Sequence, residues 1–200
     1  MAKPVGSIFN STLRQIMYAE GLRQISFEAL AADNDWFLTA TNPTGASGGE
    51  TITVDTFTKA YCPGWPVCPV VVYTETSGTD VESYTCTFKG INQFGQYEVL
   101  TVDDSSLTAT STTAFEKLTE VTLVVTGTTD AADTVIIGFA KTYGLGCMIG
   151  ATTDVICKLF DGSADDGTVS AVHHTYVVAG TPDAAKELVL LVRPSYYYSK

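Results

Sequence analysis

The sequence predicts an all-β protein: an antiparallel β-sandwich or barrel, of jelly-roll or immunoglobulin-like type, with an extended N-terminal arm. Three observations carry that expectation. Thr, Ser, Val and Gly dominate, and long Leu/Glu/Lys/Ala tracts are missing, a mix that favours strands joined by tight turns. Apolar and polar residues alternate in run after run, which is the period of a half-buried strand. Turn signals separate these runs closely, and the long helix–strand alternation that a parallel sheet requires is missing. About ten short strands are expected, without a repeat of fixed period.

Residues 1–30 read as an arm and residues 31–200 as a single β-sandwich domain. In the arm, "NSTLRQIM" suits a short helix capped by Asn10 or Ser11, with Leu13, Ile16 and Met17 on one face and Gly21 ending it. One or two turns cannot stand alone in water, so that helix needs a surface to lie on. "RQISFEALA" then alternates, with Ile25, Phe27 and Ala29 on one side, and "DWFLTAT" continues as a strand. "NPTGASGG" is a loop by composition. "ETITVDTFTKAY" turns Ile52, Val54 and Phe57 inward. The three prolines of "CPGWPVCP" exclude a central strand there and predict a stiff crossing with Trp65 packed beneath it.

"PVVVYTE" is an apolar strand, and "VESYTCTFKGI" and "QYEVLTV" are two more. "DDSSLTATSTTA" reads as a polar connection. "KLTEVTLVV" points Leu118, Val121, Leu123 and Val125 to one side, and "TVIIGFAK" follows as a strand. "TYGLGCMI" marks a bend or bulge. "DVICKLF", "TVSAVHHTYVVA" and "ELVLLVRPSYYY" complete the set, with His173 and His174 inside a strand and on opposite faces of it.

"KGINQFGQYEVL" admits a detailed prediction. A three-residue hairpin loop is a type I turn followed by an αL residue. Asn92 suits the first corner, Gln93 and Phe94 the αR positions, and Gly95 the αL position. That choice sets Asn92 against Gln96, Ile91 against Tyr97, Phe88 against Leu100 and Cys86 against Val102. Tyr84, Cys86, Phe88, Leu100 and Val102 become the core face. A slip of one residue would split this apolar set. Phe94 lands at the tip, where a lone chain would leave it in water.

Composition excludes several functions. The chain has 200 residues, 45% hydrophobic and 16% charged, which suits a packed core and argues against disorder. With 22 acidic and 11 basic residues its net charge is −11, and the cations are scattered. A phosphate backbone would repel such a surface, so no nucleic-acid binding is expected. No run approaches about 20 apolar residues, so no membrane partner is expected. The N-terminus lacks the continuous apolar stretch of a signal peptide, which points to synthesis in the cytoplasm.

No motif names a catalytic site, and the expectation is a protein that is not an enzyme and takes no small-molecule substrate, cofactor or metal. Five residues separate Cys62 from Cys68, too many for a zinc knuckle, and the two histidines lie far off in sequence. The five cysteines read as small buried hydrophobes rather than as a disulfide framework. Asp103–Asp104 and Asp165–Asp166 sit in loop sequence and read as solvated turn residues. They are the sole support for a glycan hydrolase on a β-scaffold. "DGSADDG" lacks the ligand spacing and the terminal Glu of a calcium loop. No nucleophile elbow, dinucleotide fingerprint or P-loop occurs.

From Val70 to Asp161 the order of segments resembles a class of tailed-phage virion proteins. Those proteins carry a "VVV" strand, a "GTNQFG"-like hairpin, a Thr-rich stretch leading to an aromatic and a "TxVT" strand, a "D-T-V-x-I-G" strand and then "KLGLP". The matches are "PVVVY", "KGINQFGQ", "TSTTAFEKLTEVTLVV", "DTVIIGFAKTYGLG" and "VICKLFDG". "TYGLG" stands where those proteins have "KLGLP", so the Pro-fixed bend is missing.

The resemblance implies a structural role in a phage particle. The expected function is a capsid decoration (cement) protein on the outside of the head, binding the major capsid protein as a homotrimer. The alternative is a tail, neck or fibre-base protein, or a host-binding module. The expected location is the capsid surface of the virion, after synthesis in the host cytoplasm. The anchors expected at the interface are Phe9, Ile16 and Tyr18 in the arm, Phe94 at the hairpin tip, and Tyr196, Tyr197 and Tyr198, because aromatic side chains supply wide contact at low entropy cost.

Overall fold

The computed structural model describes residues 21–41, 51–62, 64–75, 81–104, 107–127 and 132–195. Among them are fourteen strands, one 3-10 turn at Thr152–Asp154 and no α-helix. The strands are β1 (Arg23–Glu28), β2 (Asp33–Thr41), β3 (Thr51–Val54), β4 (Val67–Thr74), β5 (Val81–Asn92), β6 (Tyr97–Asp104) and β7 (Thr108–Thr110). They continue with β8 (Phe115–Gly127), β9 (Thr134–Gly144), β10 (Val155–Phe160), β11 (Ser163–Ala164), β12 (Thr168–Ser170), β13 (Thr175–Val177) and β14 (Glu187–Val192). Every described pairing is antiparallel. The fold is the all-β sandwich or barrel that the alternation predicts.

A ten-stranded sheet runs β12-β13-β9-β4-β8-β5-β6, with β2 beside β9, β3 beside β8 and β7 beside β4. Strands β4 and β8 meet at one pair only, Val67 with Phe115. The sheet curls at that joint, and β5 comes to face β4 and β7. The phenol of Tyr84 on β5 spans the gap: it donates to the Val71 carbonyl at 3.1 Å and accepts from the Ala109 N–H at 2.8 Å. A four-stranded sheet, β1-β14-β10-β11, covers one side of the same core.

The core follows the alternation. Tyr84, Cys86 and Phe88 of β5, Val135, Ile137 and Phe139 of β9, and Leu188, Leu190 and Val192 of β14 are all buried, each large side chain contributing about 1.5–3 kcal/mol through removal from water. On β8 both Leu118 and Val121 are buried, although three residues apart. A bulge at Thr119 resets the period: Lys89 pairs with Glu120, and the next residue, Gly90, pairs with Leu118. Gly90 is required there, because a Cβ would lie 2.1 Å from the Lys117 carbonyl.

Several expectations are corrected. Strand β1 lies within the segment read as an arm, yet it pairs along its length with β14, and Ile25 is buried. Residues 21–30 therefore belong to the fold, while residues 1–20 lie outside the described residues. The proline-rich stretch does not exclude a central strand: β4 begins at Val67, lies between β9 and β7, and holds Pro69 opposite Phe139 of β9. The Pro69 carbonyl accepts from Ser111 N–H at 2.9 Å, so its missing N–H would face that side, just beyond the end of β7. Trp65 does pack beneath the crossing, stacked on Phe27 at 4.7 Å. The connection read as polar contains β7, with Ala109 buried. Asp103 and Asp104 end strand β6 rather than lying in a loop.

His173 and His174 sit in the turn between β12 and β13, not in a strand, and His174 takes a φ of 53°. Among the described residues no helix is long and apolar enough to cross a membrane.

Candidate interaction face

The β5–β6 hairpin has the predicted register throughout: Phe88 faces Leu100, Cys86 faces Val102 and Ile91 faces Tyr97. Gly95 takes the αL conformation, with φ 75°. The Asn92 N–H donates to the Gln96 carbonyl at 2.8 Å. Its side-chain Oδ1 accepts from the Phe94 and Gln96 N–H groups at 2.9 and 3.0 Å, while its Nδ2 donates to Glu98 at 2.7 Å. One side chain thus satisfies the turn, which explains an Asn at the first corner.

The tip differs from the expectation. Gln93 is buried and Phe94 half-buried. Gln93 Nε2 donates to the His173 carbonyl at 3.0 Å, and its Oε1 accepts from the Gly146 N–H at 3.0 Å. Phe94 packs edge-on against His174, ring centres 5.7 Å apart. His174 Nδ1 accepts from the Ile149 N–H at 3.2 Å, and burial, then the neighbouring His173, holds its pKa below the usual histidine range. The hairpin tip therefore ties two distant loops together. Nothing local in "NQFG" announces that role, since both of Gln93's side-chain partners are backbone groups far along the chain. Phe9, Ile16, Tyr18, Tyr196, Tyr197 and Tyr198 lie outside the described residues.

Beside the tip, the outer face of β6, β5, β8 and β3 carries aligned rows. Tyr97, Ile91, Lys117 and Tyr61 form one row, and Thr101, Thr87, Thr122 and Thr53 another. Lys117 Nζ lies over the Tyr61 ring at 4.9 Å, and Thr87 and Thr101 share a hydroxyl bond at 3.1 Å. Lys89 and Glu120 pair at 2.5 Å between the rows. Their mutual bond raises the Lys89 pKa and lowers that of Glu120. Six large hydrophobic side chains are exposed among the described residues, and four of them, Tyr61, Tyr97, Val99 and Val124, stand on this one face. Sequence alternation had already turned Tyr97 and Val99 away from the core, but the clustering depends on strand order.

The titratable groups inside the fold are held in structural bonds. Asp165 is not the solvated turn residue expected of "ADDG". It is buried, and its Oδ2 accepts from the Tyr176 hydroxyl at 2.5 Å and from the Gly167 and Ala179 N–H groups at 3.2 Å. Gly167 is needed for that approach, because a Cβ there would lie 2.3 Å from the Tyr176 hydroxyl oxygen. Burial acts to raise the Asp165 carboxyl, but the bonds it accepts outweigh burial and hold it below the usual carboxylate range.

All five cysteines are free thiols. Cys68, Cys86 and Cys147 are buried, as expected of small hydrophobes, while Cys62 and Cys157 are half-buried. Burial pushes the Cys62 thiol up to about 12, and it donates to the Phe115 carbonyl at 2.7 Å. Among the described residues no three His, Cys, Asp or Glu side chains gather as a metal site.

An open cleft of about 370 Å³ lies between Arg23, Tyr61, Trp65, Gln93, Glu116 and Gly146. Three of its polar side chains are engaged within the fold: Arg23 donates to the Gly146 carbonyl at 2.8 Å, Trp65 Nε1 donates to the Gly144 carbonyl, and Gln93 is held as described above. The outer face offers exposed apolar side chains set among threonines. No protein-family model, curated protein or solved structure matches this chain.

Proposed function

We propose that the chain is a non-enzymatic virion structural protein, a decoration (cement) protein that binds the major capsid protein on the outside of a tailed-phage head and stabilises the shell. The observation that carries the binding role is the gathering of exposed Tyr61, Tyr97, Val99 and Val124, among threonines, on the β6-β5-β8-β3 face. A sheet face with two tyrosines and two valines in water is what an assembly subunit needs, because burying such side chains supplies the anchoring free energy of an interface. The buried Asp165 supports the non-enzymatic reading, since its carboxylate is consumed by the fold. The segment order from Val70 to Asp161 supports the choice of particle. In this reading Phe94 steadies the tip behind the face, and the arm and C-terminal aromatics add contacts beyond it.

The test uses shells lacking the protein, mixed with the full chain and imaged by electron cryomicroscopy. Copies spread over the shell, and a raised temperature of shell disruption, are expected. Tyr97→Asp with Val99→Asp should leave the fold intact and remove most of the binding. Deleting residues 1–20 should weaken it as well. A ring of copies at one vertex would favour the tail or neck reading, and no association with any particle would end the virion reading.

A further inference from the structure

Strand β6 has one partner among the described residues. Its inner edge pairs with β5 over eight residues without a bulge. Among the described residues no strand pairs with its outer edge. The Asn92–Gln96 bond sets the phase of the ladder: residues 98, 100 and 102 exchange bonds with β5, while the N–H and C=O groups of Tyr97, Val99, Thr101 and Asp103 point away from it.

Edges of this kind are usually guarded by Lys, Pro, a bulge or an outward charge. "YEVLTVDD" has no Lys and no Pro. Glu98 and Asp103 are turned back into their own sheet: Glu98 accepts from Asn92 at 2.7 Å and from Thr113 at 3.1 Å, and Asp103 accepts from Thr85 at 2.8 Å. Leu100 and Val102, on the core face, are only half-buried, so an added strand would complete their burial.

We propose that two copies of the chain pair through β6, antiparallel, about a two-fold axis at Leu100. The register follows from the phase of the ladder. With Leu100 opposite its own copy, Val99 faces Thr101 and Tyr97 faces Asp103, and the outward backbone groups of both strands meet in about eight hydrogen bonds. No two acidic residues stand directly opposite one another. Leu100 meets its copy at a non-hydrogen-bonded position, where side chains approach most closely. The two curled sheets become one continuous sheet, with both Thr-rich faces on the same side. An isologous contact of this kind closes at two copies, in contrast to the trimer that the phage resemblance implies.

Pairing rests here on backbone bonds and apolar contact between chains of like charge, so salt should strengthen it by screening their repulsion. Light scattering of the full chain across a micromolar concentration series should give twice the 21.3 kDa chain mass, with a larger dimer fraction at higher ionic strength. Val99→Pro removes an outward N–H without touching the β5 ladder, and Thr101→Lys places a charge on the edge. Each should return a monomer with an unchanged circular-dichroism spectrum, and Thr101→Lys decides alone if the proline variant does not fold. A wild-type monomer at every salt concentration, a trimer, or a dimer that persists in both variants would overturn the pairing. Shell binding is read separately, so a monomer that still decorates particles defeats this inference and leaves the virion reading standing.

Discussion

Gly146 donates its backbone N–H to Oε1 of Gln93 at 3.0 Å, a bond between residues 53 apart in sequence. Gly144 lies so close that a Cβ on it would sit 2.5 Å from the same oxygen. Gln93→Ala would remove the partner of this N–H and of the His173 carbonyl, both half-buried, at about 1–3 kcal/mol for the two together, since water can reach them in part. A denaturation midpoint lowered by that order is expected, with faster amide exchange at Gly146. An unchanged midpoint would mean that the two loops hold themselves.

Acid should weaken the fold through Asp165. Its folded-state pKa lies below the ordinary carboxylate value. The contribution is therefore complete above about pH 4 and is lost as pH falls through the lower folded value. Asp183 and Glu120 are shifted in the same direction, so the comparison must be made with a variant. Asp165→Asn should remove its share of the acid limb in urea midpoints taken from neutral pH downward. Parallel acid limbs in the two proteins would exonerate this carboxylate.

Two glycines should fail for different reasons. At Gly138 a Cβ would lie 1.8 Å from the Asp33 carbonyl oxygen and 2.3 Å from Asn34 C, so the β2 and β9 backbones would have to part. Gly138→Ala should cost more than about 2 kcal/mol. At Gly95 the space is open and only the φ of 75° objects, so Gly95→Ala should cost about 1–2 kcal/mol. Gly95→Asn should cost less than Gly95→Ala. Equilibrium unfolding of the three variants checks the order.

Cys62 should resist alkylation while the protein is folded. Its thiol, pushed up to about 12 by burial, stays protonated in mildly alkaline buffer, and the thiolate is the reactive form. Iodoacetamide followed by peptide mass spectrometry should leave Cys62 unmodified in the native protein and label it in denaturant. Rapid native labelling would contradict its bond to the Phe115 carbonyl.

The register of the β5–β6 hairpin was legible, because Asn92 and Gly95 specify a turn and the turn specifies which residues face inward, whereas the packing of Gln93 and Phe94 at its tip was not. Strand β7 was illegible, since "TAT" offers one small apolar residue and its strand state comes from β4 alongside it. The β12–β13 turn was hidden because "SAVHHTYVV" contains no Gly, and His174 itself takes the positive φ. Pro69 misled because its tolerance depends on where β7 stops, which is a tertiary fact. The candidate face was half legible: alternation turned Tyr97 and Val99 outward, but only the order β6-β5-β8-β3 gathers them with Val124 and Tyr61.

Strand β1 is paired along its whole length with β14, Arg23 standing beside Val192. During synthesis β1 leaves the ribosome before every other described strand, and its only described partner after them all. The larger sheet can zip from β4 to β9 while the chain is still growing, but the smaller one cannot close before β14 emerges. Until then Ile25 and Phe27 wait in water beside a half-built core. Closure of the four-stranded sheet thus waits for the synthesis of β14, and it brings the start of β1 and the end of β14 to the same corner of the molecule.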